Sequence, residues 1–255
     1  GAGLIIDNSA DTTEHSGWNN SSIKYLANRV KDSAPITLMG GGIMFFGRPQ
    51  IDSTETLGAV TLSSGQNVIA SVAGAPGSST AIGNATLTLT SLTRNDYASL
   101  NVVDRVRPDI ADNSLGRSGN YGRIMVTGAL TGNMAPVNGI IPGVFSSPKT
   151  DWHDFVTYVS GRGFAPLGQS GAPAYYNPGG NNFSGAAATN NVKGSGTVPN
   201  GGLTINSLKE GGVTFTGGTP TGGDTLTLNS GMLIVDGGQG NLGSTSARGK
   251  LTSGS

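Results

Sequence analysis

In the 255-residue chain, "DWHDF" puts His153 between Asp151 and Asp154 beside Trp152. An imidazole flanked by carboxylates suits a general base or a pair of metal ligands. The other histidine is His15, and no HxH or HExxH spacing occurs, so a structural role for His153 is the stronger reading. "DRVRPDIAD" gathers Asp104, Arg105, Arg107, Asp109 and Asp112. Polysaccharide cleavage needs paired carboxylates or a basic residue near Ca²⁺, yet a solvated, salt-bridged loop accounts for the same residues. "GAGLIIDNSAD" and "VDGGQGNLG" place Asp beside Gly and Asn, but the GGxGxD repeat of Ca²⁺-binding solenoids is absent. Asp-Gly turns explain them without the many oxygen ligands that Ca²⁺ requires. "GGQGNLG" lacks the Lys-Ser/Thr of a phosphate loop and reads as a turn. These residues assign no catalytic group, cofactor or metal, and the chain reads as a non-enzyme.

Softer signals remain. Tyr121, Trp152, His153, Tyr158, Tyr175 and Tyr176 could contribute to a ligand-contact surface for glycans in the middle of the chain. Asn19, Asn20, Asn84 and Asn182 sit in N-x-[ST] sequons, which makes them candidate glycosylation sites. Lys plus Arg and Asp plus Glu number 15 each. A net charge of zero gives no electrostatic reason to bind nucleic acid or anionic lipid. No apolar run approaches the ~20 residues of a membrane helix. With no cysteine, disulfides and thiolate metal sites are excluded. The opening "GAGLIID" has neither Met nor a signal peptide, as expected of a processed product or a piece of something longer.

The elements that carry these residues are strands. Gly contributes 43 residues, charged residues are 12% and hydrophobic residues 35%. The charged share is about half the usual roughly 25%, and the polar mass is Ser, Thr and Asn, which suit pleated surfaces and tight turns. Over 1–103 the strand candidates are "GLIID", "APITLMGGGIMFFG", "ETLGAVTLSSGQNVIASVAG", "NATLTLTSLTRND" and "ASLNVV". In "ATLTLTSL", Leu87 and Leu89 share one face while Thr86, Thr88 and Thr90 share the other. The Gly triplet 40–42 separates two strands. "NNSSIKYLANRVKD" places Ile23, Leu26, Ala27 and Val30 at helical spacing, with Ser21 or Ser22 as N-cap, and predicts a short amphipathic helix.

The middle, 104–189, is loop-rich, with strands expected at "RIMVTGAL" and "DFVTYV". Over 190–255 regular strands return, and apolar segments restart at Leu203, Val213, Leu226 and Leu233, intervals of 10, 13 and 7 residues. Such intervals fit successive faces of one solenoid coil. The turn signals are Gly-Gly and Ser-Gly rather than the two-residue Asn-Gly or Asp-Gly of hairpins. A parallel β-helix over 1–255 is therefore expected, with a β-sandwich as the alternative.

"STETLGAVTLSSGQNVIASVAG" followed by "NATLTLTSLTRNDYASLNVV" resembles the autotransporter-associated β-strand repeat proteins of bacteria. "VNGIIPGVFSSPKTDWHDFVTYV" is similar to their recurrent Asn-Gly-Ile-Ile segment with an Asp-Phe-x-x-Tyr ending, and "GGLTINSLKEGGVTFTGG" with "DTLTLNSGMLIVDGG" to the strand pair that follows it. Residues 144–149 depart from the pattern by lacking a Trp-Ala-like segment. The resemblance implies a right-handed parallel β-helix, export to the cell exterior, and a structural or adhesive role; it brings no catalytic residues.

Neither "GAGLIID" nor "GKLTSGS" reads as a polar cap, so Leu4, Ile5, Ile6, Lys250 and Leu251 are candidate assembly residues. Uncapped strand edges pair with other chains. The expected partner is another copy or a covalent neighbour, joined head to tail into a fibre. A carbohydrate-binding or carbohydrate-cleaving β-helix is the alternative function.

Overall fold

The computed structural model describes residues 2–8, 28–49, 52–74, 83–104, 115–116, 122–147, 153–167, 183–210, 212–215, 224–235, 241–243 and 249–254. They form an all-β chain. In order the strands are β1 (Gly3–Asp7), β2 (Ile36–Met39), β3 (Gly42–Pro49), β4 (Ser53–Gly74), β5 (Ala85–Arg94), β6 (Ala98–Val103), β7 (Gly122–Val126), β8 (Val144–Ser146), β9 (Asp154–Val159) and β10 (Gly163–Pro166). There follow β11 (Asn191–Lys193), β12 (Gly196–Val198), β13 (Leu203–Glu210), β14 (Gly212–Phe215), β15 (Thr225–Val235), β16 (Asn241–Leu242) and β17 (Lys250–Ser253).

The 22-residue β4 turns a corner at Gly65, where φ is +70°. A Cβ there would stand 3.2 Å from Gly40 Cα of the neighbouring corner, so glycine serves both the dihedral and the close approach. The first arm of β4 lies between β2 and β5, and β5 pairs with β7. The second arm lies between β3 and β6, with β1 and β8 extending that side. The chain thus visits one side and then the other: β2 then β3, both arms of β4, β5 then β6, β7 then β8. All these pairs are parallel. A second parallel stack follows, with β11, β13, β15 and β17 on one side and β12, β14 and β16 on the other. Among the described strand pairs only β8–β9 and β9–β10 are antiparallel.

Parallel register puts like on like. Thr54 lies beside Thr86, Thr56 beside Thr88 and Leu57 beside Leu89. Leu203, Leu226 and Leu251 form one column, and Thr204, Thr227 and Thr252 another. Period-2 alternation sends leucine inward: Leu57, Leu87, Leu89 and Leu226 are all fully buried. Each such side chain is worth roughly 1.5–3 kcal/mol relative to exposure. Thr86 and Thr88 are half-buried and Thr90 is exposed on the outer face, as the alternation predicts.

One polar residue takes an inward position and locks the corners. Asn67 is fully buried. Its Nδ2 donates to the carbonyls of Ser64 and Gly65 in its own turn and Ser99 in the next, at 3.0–3.2 Å. Its Oδ1 accepts from the N–H groups of Gly40 at 3.0 Å and Gly41 at 3.4 Å in the turn before. A single amide ties three successive turns, and its removal would strand buried groups at about 1–3 kcal/mol each. Glu55, also buried, accepts the backbone N–H groups of Arg29 at 3.1 Å and Val30 at 2.9 Å.

The hairpin β9–β10 folds over the last rung of the first stack. The Tyr158 hydroxyl accepts from Val126 N–H at 2.9 Å and donates to Val126 C=O at 3.1 Å. Its ring meets buried Phe164 edge-on at 5.3 Å. Gly163 has φ +82°, and a Cβ there would stand 2.1 Å from Ile124 O.

Two expectations change. The helix expected at "NNSSIKYLANRVKD" does not reach its C-terminal end: Asn28 has φ +64° and Arg29 and Val30 form a bend. Ile23, Leu26 and Ala27 lie outside the described residues. Val30 packs against the core from this bend instead. Within 104–189, "DFVTYV" is β9 and "RIMV" falls in β7, as expected, while β8, β10 and a 3₁₀ turn at Gly132–Met134 add order to what reads as loop.

Candidate functional site

Candidate chemistry in "DWHDF" disperses. His153 is exposed and packs its ring on Phe145 at 5.6 Å. Asp154 turns elsewhere: its Oδ1 accepts the Phe155 N–H at 2.9 Å and lies 3.8 Å from Lys209 Nζ. Asp151 and Trp152 lie outside the described residues, as do Tyr121, Tyr175 and Tyr176. Tyr158, the remaining member of the aromatic set, has its hydroxyl committed to Val126. Asp104 is buried and its Oδ2 accepts Gly122 N–H at 3.2 Å; Arg105, Arg107, Asp109 and Asp112 are outside the described residues. Among the described residues no three His, Asp or Glu gather to hold a metal. No described helix is long and apolar enough to cross a membrane.

Of the sequons, Asn84 is half-buried, and its backbone N–H and Nδ2 both donate to Asp52 Oδ1, at 2.8 and 3.1 Å. Asn19, Asn20 and Asn182 fall outside the described residues.

The assembly candidates lie on two outer strands of unequal character. β1 pairs with β3 and β17 with β15. Leu4 is half-buried and packed on the core, Ile5 is 62% exposed, and Ile6 is 2% exposed. Lys250 is exposed and Leu251 is 43% exposed, although its column neighbour Leu226 is fully buried.

Two features escape sequence reasoning. The first is the β5–β6 corner, where Tyr97 is 90% exposed on a tethered turn. Asn95 N–H donates to Leu62 C=O at 2.9 Å, Gly65 N–H to Tyr97 C=O at 3.0 Å, and Ala98 N–H to Asn95 C=O at 3.1 Å. Arg94 braces the turn through Ala98 C=O at 3.0 Å and Asn133 C=O at 3.1 Å. Burial lowers the Arg94 guanidinium from its ordinary value, opposed by the negative charge of Asp96.

The second is the junction between the stacks. Val137 and Ile140 exchange backbone hydrogen bonds at 2.7 and 3.1 Å across the two-residue turn Asn138-Gly139, both at positive φ. From this turn Asn138 Nδ2 donates to Asn206 Oδ1 at 3.0 Å, and Asn138 C=O accepts Asn191 Nδ2 at 2.7 Å. Asn206 Nδ2 donates to Asn191 Oδ1 at 2.6 Å and to Val137 C=O at 3.3 Å, and Ser207 Oγ to Asn191 Oδ1 at 2.7 Å. Beside this network Ile140, Phe155 and Leu167 pack against Met232 and Ile234. Gly143 N–H donates to Met232 Sδ at 3.2 Å. The Lys209–Asp154 pair completes the seam, with side chains 8% and 15% exposed. Asn206 and Ser207 between Ile205 and Leu208 in "TINSL" are the trace of this seam in the sequence, indistinguishable there from outward-facing strand residues.

No family model, curated protein or solved structure matches the chain.

Proposed function

We propose that the chain is a right-handed parallel β-solenoid that serves as a structural module or subunit of an extracellular or cell-surface fibre, assembled end to end. The observation that carries this reading is the register in which leucine stacks on leucine and threonine on threonine, turn after turn. That repetition builds a stiff apolar column with an uncharged hydroxyl-rich exterior and has no need of a reactive centre. Parallel connections within one sheet are right-handed in about 98% of cases. Among the described residues β1 and β17 each have a strand partner on one side, and such edges recruit further strands. A head-to-tail contact that does not close propagates as a filament. Export and surface display rest on the resemblance to autotransporter-associated repeats. Electron microscopy of the purified chain at rising concentration tests the reading. Filaments repeating at one subunit length are expected; separate short particles at every concentration would sink it.

The Tyr97 corner favours a second, compatible reading in which the exterior contacts glycans. A ring held almost wholly in solvent on a fixed turn offers a stacking face, and Asp96, which accepts a hydrogen bond from Asn133 Nδ2, is its neighbour in the chain. Binding on a glycan array that disappears in Tyr97→Ala supports this contact; an unchanged or wholly empty array removes it.

A further inference from the structure

We propose that the junction between the two stacks is a releasable latch, so that the second stack detaches as an intact body before either stack unfolds. Within each stack, neighbouring strands share parallel ladders and bury leucines such as Leu57, Leu89 and Leu226. Across the junction the connection is of another kind. Among the described residues it includes five apolar side chains, an amide network centred on Asn206, an ion pair with side chains 8% and 15% exposed, and a backbone-to-sulfur hydrogen bond. Opening proceeds through the region with the fewest buried contacts and ladder bonds.

The composition of the seam also suits it to opening and closing. Amides and an ion pair can rehydrate when separated, whereas an exposed leucine column cannot do so without large cost. Side-chain amides dominate the seam: Asn138 and Asn206 meet head to head, and Asn191 serves both. These directed hydrogen bonds fix the closed arrangement without a backbone ladder between the described strands of the two stacks.

Gly143 N–H bonds to Met232 Sδ across the seam, so its hydrogen exchange reports junction opening. Val68 N–H, bonded to Gly41 C=O, reports the interior of the first stack, and Gly243 N–H, bonded to Val213 C=O, reports the β14–β16 pairing of the second. Native-state exchange in low urea is expected to show Gly143 opening with a small urea dependence, well before Val68 and Gly243. The variant Asn138→Gly keeps the positive φ of the turn and removes only the side-chain donor. It is expected to speed Gly143 exchange on the order of five- to tenfold, the scale of one net hydrogen bond, and to leave Val68 and Gly243 unchanged. Exchange of all three amides in one global step overturns the latch. So does an Asn138→Gly chain in which Gly143 exchanges at the wild-type rate. The urea measurement on the unaltered chain decides the matter alone if the variant does not fold.

Discussion

In the first stack β7 lies beneath a hairpin, whereas in the second stack β17 is exposed among the described residues. Over β7 the chain folds back: Gly163 lies against Ile124 O, Tyr158 takes both backbone groups of Val126, and Phe164 enters the core. In the second stack all four residues of β17 are exposed, including Leu251, which lies beside Leu226 in the column it shares with Leu203. The start of the second stack resembles the covered case, since the Phe183 ring packs over Gly196, where a Cβ would stand 2.8 Å from it. The difference teaches that a stack can stop inside a chain when an aromatic plug and a crossing strand replace the next rung. β17, with no such cover among the described residues, leaves Leu251 partly exposed.

The sharpest way to break the comparison is Gly163→Val. A branched side chain at φ +82° facing a carbonyl at 2.1 Å combines backbone strain with overpacking, together more than about 3 kcal/mol. Urea unfolding followed by two probes is expected to show the first stack destabilised and the second unmoved; equal loss in both would mean the hairpin is not a local cover. Next in size, Leu226→Ala empties a fully buried position in the second stack and is expected to cost about 2–5 kcal/mol. Leu251→Ala, one rung further, is expected to cost less than about 1 kcal/mol in dilute solution, because its side chain already meets water. The same pair at filament-forming concentration sharpens the contrast. If Leu251 joins a neighbour, its substitution weakens assembly while leaving the urea midpoint of the dilute chain in place.

Much of the fold is legible because a strand buried on one face writes its parity into the sequence. Leu87 and Leu89 inside, with Thr86, Thr88 and Thr90 outside, follow from alternation alone, as does the corner at Gly40. Parity is silent when a polar residue occupies an inward position. Asn67 reads as surface or turn but is the lock of three corners, because its partners come from turns distant in sequence. The expected helix shows the opposite failure: apolar residues at helical spacing do not hold a helix to Val30, where buried Glu55 draws the N–H groups of Arg29 and Val30 into a bend. Among the site candidates, Tyr158 reads as a surface aromatic and proves to be a staple, since only the folded-back hairpin brings it to Val126.

By itself the sequence determined an all-β chain with short Thr-faced strands and glycine corners, because these depend on local periodicity and composition. Tertiary structure decided the rest. It set which strand lies beside which, where the first stack is covered, that Tyr97 stands out in solvent, and that three asparagines meet at a seam. Each of these depends on contacts between residues far apart in the chain, and an isolated strand carries no record of its neighbour.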